Sequence, residues 1–135
     1  MLVRQPTILV VEDEPLIALD LAAMVEDAGG EVVGPAGSVR EALALLDARI
    51  VTGAILDVNL SDGDVEPVAE FLLARGAPVI FHTGREPPRA LREHFPDLIF
   101  HLKPQAPETL IRHLATLIEA KGPNWAGVGG HASAA

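Results

Sequence analysis

No cysteine occurs among the 135 residues, so neither a disulfide framework nor a thiolate metal site is available to the chain. No apolar run approaches the roughly 18 residues that a membrane span requires. The leading MLVRQP is too short and too polar for a secretory signal. Positive charge is scarce: 10 Lys and Arg stand against 19 Asp and Glu, giving a net charge of −9. Phosphate backbones repel such a surface and no basic stripe offsets it, which argues against nucleic acid as a partner. No Gly-x-Gly-x-x-Gly follows the first apolar run, which disfavours a dinucleotide-binding domain. There is no internal repeat and no interdomain linker. The expectation is a single soluble domain in the cytoplasm, without a membrane partner.

What is present is apolar and ordered in pattern. The hydrophobic fraction is 49%, well above that of disordered chains. Residues 7–11 are continuous and β-branched, as in a strand buried on both faces. Residues 15–28 follow with Ile17, Leu21, Met24, Val25 and Ala28 at helical spacing, and Gly29-Gly30 ends that run. Residues 31–34 read as a short strand and 35–37 as a turn. Ser38 with Glu41 reads as a capping box, and Val39, Ala42, Leu43 and Leu46 then face one way in a second helix. Strand patterns recur at 53–57, 78–82 and 98–102. Helices are expected at 65–74, from Pro87-Pro88 to His94, and at 107–120, the last with Leu110, Ile111, Leu114, Leu117 and Ile118 on its apolar face. These are five β–α units, which places the chain in the α/β class with a parallel sheet covered by helices on both faces. Residues 1–6 read as a lead, 7–121 as the domain, and the small, glycine-rich 122–135 as a disordered tail with a mobile Trp125.

The residues at the strand ends carry the chemistry. In open parallel sheets, ligands bind beyond the carboxyl ends of the strands, at the point where the strand order reverses. The first strand delivers Glu12 and Asp13 there, the third Asp57, the fourth Thr83, and the fifth Lys103 followed by Pro104. The second delivers only Gly34-Pro35. Taken singly, an Asp after a strand is most often a turn or cap residue, and a Lys-Pro is punctuation. Taken together, carboxylates, a hydroxyl and an ammonium at the matching ends of four strands form a set of complementary charge. Carboxylates take a hard cation such as Mg²⁺, and a carboxylate can carry a phosphoryl group as nucleophile. Lys and Thr would offset charge on the phosphoryl oxygens.

The runs ILVVEDEP, GAILDVNLSDGD, FHTG and HLKP stand in the order and spacing of the receiver domain of two-component response regulators, which residues 7–121 resemble. The resemblance implies a flavodoxin-like, doubly wound (βα)5 fold with strand order 2-1-3-4-5. It implies that Asp57 is the phosphoacceptor, that Glu12 and Asp13 bind Mg²⁺, and that Asn59 completes the metal shell through its backbone carbonyl. Thr83 matches the switch hydroxyl, Lys103 the lysine that pairs with the phosphoryl group, and Phe100 the aromatic switch position, where Tyr is commoner. Gln105 stands where Phe is usual, and His82 departs from a Phe-Ala-Thr-Gly motif of some stand-alone receivers. Arg85 matches a position that affects how fast the phosphate is lost.

The implied function is that of a stand-alone phosphorelay protein and not an enzyme. A phosphohistidine on a histidine kinase or histidine phosphotransfer protein would donate to Asp57 with Mg²⁺ as cofactor. The charge gained would draw in Thr83 and Lys103 and remodel the last strand and last two helices for a downstream protein. Arg89, Arg92, Arg112 and Glu119 beside apolar residues suit either a homodimer face or a solvated one. Two other readings compete. One is an interaction module that works without phosphorylation, though such receivers tend to lose the acids or the lysine, all of which are present. The other is an aspartyl-phosphate phosphatase, which usually needs an acid two residues after the nucleophile, where Asn59 stands. His82, His94, His101 and His113 show no zinc spacing and read as structural groups.

Overall fold

A computed structural model describes residues 5–130. Five parallel strands form the central sheet: β1 (Thr7–Val11), β2 (Glu31–Ala36), β3 (Gly53–Leu56), β4 (Val79–Thr83) and β5 (Ile99–Leu102). Their order is β2-β1-β3-β4-β5. Five helices connect or follow them: α1 (Pro15–Asp27), α2 (Val39–Ala48), α3 (Glu66–Ala74), α4 (Arg89–His94) and α5 (Pro107–Ala120). This is the flavodoxin-like order expected from the sequence. Among the described residues no helix is long and apolar enough to cross a membrane.

Alternation along each strand divides the interior into two cores. Leu9, Val11, Leu56, Val79 and Phe81 face α2, α3 and α4, where Ala42, Leu46, Val68, Leu72 and Leu91 meet them. Ile8, Val10, Ile55 and Ile80 face α1 and α5, against Leu21, Val25, Leu110, Leu114 and Ile118. A strand buried on both faces has little room for alternation with polar residues, which is why β1 and β3 read as continuous apolar runs. Gly53 marks a close approach of α5 to the sheet. A Cβ there would lie 3.0 Å from Ile118 Cδ1 and 3.2 Å from Leu114 Cδ1, so a side chain at this position would force those α5 residues to give way.

Two sequence expectations need correction. The second strand does not stop at Gly34. It runs through Pro35 to Ala36, with an irregularity opposite the stretch from Leu9 to Val11. Proline is tolerated here because β2 is an edge strand, so one N–H faces no neighbour.

The segment after α5 is also not a disordered tail over 122–130. Val128–Gly129 pairs antiparallel with Ile50–Val51, a short strand just before β3. Trp125 packs against both cores and donates from Nε1 to the Thr52 carbonyl at 3.0 Å, while the Lys121 ammonium lies 4.7 Å from its ring centre. Gly130 N–H donates to Leu46 O at 2.7 Å. The glycines serve close approach as well as freedom. Gly127 has φ +87° and Gly129 φ +93°, and a Cβ on Gly129 would meet Arg49 O at 2.6 Å. Residues 131–135 of the expected tail lie outside the described residues, as do residues 1–4 of the expected lead.

Candidate phosphoryl-acceptor and cation site

Glu12 and Asp57 reach the same place because β1 and β3 are neighbours and the chain leaves β1 in opposite directions to make β2 and β3. Both carboxylates are nearly buried, Glu12 at 3% and Asp57 at 6% exposure. Asp13 is exposed at the rim. One oxygen from each of Glu12, Asp13 and Asp57 lies within 4.8 Å of the others. The backbone N–H of Asp57 donates to Val11 O at 2.9 Å, which fixes Asp57 at the sheet edge.

Lys103 is the cation of this group. Its Nζ lies 3.0 Å from Glu12 Oε1, 3.1 Å from Asp57 Oδ2 and 3.4 Å from Glu14 Oε1. The sequence reading placed Lys103 here but missed Glu14, the third acid of the run at the end of β1. Glu14 also donates its backbone N–H to Glu12 Oε2 at 3.1 Å. Burial pushes the Glu12 carboxyl up to about 7, although Lys103 and the Glu14 N–H pull it down, and the charge of Asp57 adds to the rise. Burial works to lower Lys103. The hydrogen bonds and charges of Glu12 and Asp57 outweigh it and hold the ammonium above its ordinary 10.5.

The other expected residues sit around this centre. Thr83 is wholly buried at the end of β4, and its Oγ1 accepts from Arg85 N–H at 3.4 Å. Asn59 is exposed, and its amide oxygen, oriented to satisfy its neighbour, accepts from Arg85 Nε at 3.1 Å. Phe100 is half-buried against the α2–α4 side of the sheet, in register with Phe81. It therefore belongs to the apolar face of the sheet that α2, α3 and α4 cover. The loop after Asp57 is tied down by a residue the sequence reading did not single out. Asp62 accepts from Val39 N–H at 2.8 Å and Arg40 N–H at 3.1 Å, satisfying two donors at the start of α2 from outside the helix. Those bonds hold Asp62 below its ordinary 3.8. Ser38 caps the same turn by accepting from Glu41 N–H at 3.1 Å. The reciprocal Glu41 bond goes to Gly37 N–H at 3.0 Å, one residue earlier than a strict capping box would place it.

Chemically, the site offers oxygen donors only, from acids at the end of two adjacent strands. Such a set suits a hard divalent cation that keeps part of its water, and it does not suit zinc.

Comparison with known proteins decides the family. The chain is 41% identical over 96 residues to the phyllosphere-induced regulator PhyR of Methylorubrum extorquens, covering 69% of this chain and 36% of that protein. It resembles the crystal structure of the response regulator PhyR from Brucella abortus with a TM-score of 0.70 and 35% identity, over 87% of this chain and 51% of the other. The chain belongs to the receiver-domain family of response regulators. A CheY-like receiver domain protein from Methanospirillum hungatei shares the receiver fold at TM-score 0.76 and 24% identity, covering 88% of this chain and all of the other. No family model matches the sequence. The receiver domain spans about a third of the PhyR relative from Methylorubrum and about half of the one from Brucella.

Proposed function

We propose that this receiver domain accepts a phosphoryl group on Asp57 from a phosphohistidine of a histidine kinase or histidine phosphotransfer protein, with Mg²⁺ as cofactor. The observation that supports the reading is the convergence of Lys103 Nζ, 3.1 Å from Asp57 Oδ2, with an oxygen cluster made by Glu12, Asp13 and Asp57. In the transfer, an Asp57 carboxylate oxygen attacks phosphorus and the bond from phosphorus to the donor imidazole nitrogen breaks. That nitrogen leaves with the electron pair, giving an aspartyl phosphate and a neutral histidine. Lys103 pairs with Asp57 Oδ2 before transfer and with a phosphoryl oxygen after it. Glu12, Asp13 and Asp57, with the backbone carbonyl of Asn59, would hold the Mg²⁺. When bound there, the ion would offset the negative charge of the phosphoryl oxygens.

The chain then acts as a signalling element and not as a turnover enzyme. The new charge at Asp57 draws the Thr83 hydroxyl and the turn after β4 toward it, and Phe100 repacks on the face of α4, β5 and α5 that a downstream protein reads. The phosphatase reading is disfavoured because the side chain two residues after Asp57 is an amide engaged by Arg85. The assay is incubation with acetyl phosphate and Mg²⁺ followed by intact mass spectrometry. The wild type gains one acid-labile phosphoryl group and Asp57→Asn gains none. Equal labelling of Asp57→Asn, or no labelling of the wild type, overturns the proposal, and the second outcome favours a module that works without phosphorylation.

A further inference from the structure

Three histidines gather on the α5 side of the sheet, near the carboxyl ends of β4 and β5, and phosphoryl transfer uses none of them. His82 and His101 are register partners on adjacent parallel strands, so they share a face. His101 Nε2 lies 3.0 Å from His113 Nδ1 of α5, with the rings inclined at 86°. At that distance one nitrogen carries a proton and the other offers its lone pair. His82 is 4% exposed, and neither of its ring nitrogens has a protein partner among the described residues.

We propose that the His101–His113 contact is a proton-operated latch that holds the first half of α5 on β5 and releases it in acid. With both rings neutral, an N–H···N bond joins them. One added proton leaves that bond intact, because one ring still has a lone pair in the contact. A second proton removes the last acceptor and sets two cations at bonding distance, so attraction becomes repulsion. The surroundings offer His101 little compensation. From β4 it faces His82 and from α5 His113, and the residue that follows its strand is the cation Lys103. The acids that reach the cluster, Asp57 and Glu14, act on His82. Burial first, and then the charge of His113, hold His101 below its ordinary 6.5. A base held low in the folded state contributes stability that is full above 6.5 and is lost as the pH falls from there toward the lower folded value. Leu110, Ile111, Leu114 and Ile118 stay in the core, so the expected effect is easier local opening of α5 and not global unfolding.

The test requires no phosphate, so its outcome is separate from that of the labelling assay. Hydrogen exchange of the full chain is followed between about pH 7.5 and about pH 5.5, the span in which imidazoles titrate, with correction for the intrinsic pH dependence of exchange. In the wild type, peptides covering 107–117 open several-fold more in acid. In His101→Asn and in His113→Asn that increase is lost, while His94→Asn, altered at an exposed histidine of α4, keeps it. The two latch variants guard against a misfolded one, and circular dichroism identifies it. An acid-insensitive wild type, or latch variants that keep the full acid response, overturns the proposal.

Discussion

Lys103 at the end of β5 reaches past β4 to place its Nζ 3.1 Å from Asp57 Oδ2 at the end of β3. The residues are 46 positions apart in sequence. One ammonium also bonds Glu12 at the end of β1, so a single cation ties together three strands of the sheet edge.

Removing that cation leaves two nearly buried carboxylates facing each other. Lys103→Met is expected to lose on the order of 2 kcal/mol in metal-free buffer by urea denaturation. That is less than a fully buried broken pair costs, because Glu12, already pushed up to about 7, can take up a proton. The deficit should therefore shrink as the pH falls toward about 7 and level off below it, and added Mg²⁺ should restore part of it. A variant as stable as the wild type in chelator at alkaline pH would show that the network contributes nothing.

Thr83 is buried and does not touch the acids through a bond that the fold requires, since its Oγ1 meets only the Arg85 N–H among the hydrogen bonds described. Thr83→Ala should still be labelled by acetyl phosphate at Asp57. What it should lose is the phosphate-induced change in exchange of the turn between β4 and α4. Loss of labelling in a folded variant would move Thr83 from switching into the transfer step.

Asp62 holds the loop after Asp57 against the first turn of α2. Asp62→Ala should lower the melting temperature and speed exchange of the Val39 and Arg40 amides, whose protons it accepts. Its carboxyl is held below 3.8, so the wild-type advantage is complete above that value and disappears as the pH falls through the lower folded one. Exchange rates at those two amides that match the wild type would show that the clamp is not kept in solution.

The segment from 122 to 130 should contribute to stability. Trp125→Ala removes a half-buried ring and the Nε1 bond to Thr52, for an expected loss of about 2 kcal/mol. Gly127→Ala tests the same segment without touching the ring, since φ is +87° and a Cβ would collide with the Val51 carbonyl. Denaturation midpoints equal to the wild type in both variants would mean that the segment does not dock.

Most of the architecture was legible because each element announces itself locally. Strands buried on both faces appear as unbroken apolar runs, and α5 carries its apolar stripe at Leu110, Ile111, Leu114 and Ile118 as the spacing required. The core of the site was legible for a related reason: Glu12, Asp57 and Lys103 each follow a strand directly, and parallel strands bring their carboxyl ends to one edge. The missed features depend on contacts between distant segments. Gly127, Gly129 and Gly130 resemble a flexible tail by composition, yet they are small because Ile50, Val51, Arg49 and Leu46 press against them. Trp125 was the one signal that this stretch had something to bury. Asp62 is one of several polar residues in the run after Asp57 with no signal to single it out, and His101 with His113 lie 12 residues apart on a strand and a helix, with no motif to link them.

Trp125 is the single indole of the chain, and it is fixed to Thr52, where the chain enters β3, while Asp57 lies where that strand ends. Its intrinsic fluorescence therefore reports on the pole of the domain away from the acids. Emission should stay constant when a cation or phosphate arrives at Asp57 and should shift to the red when the segment around Trp125 peels away, giving an optical gauge of that end alone.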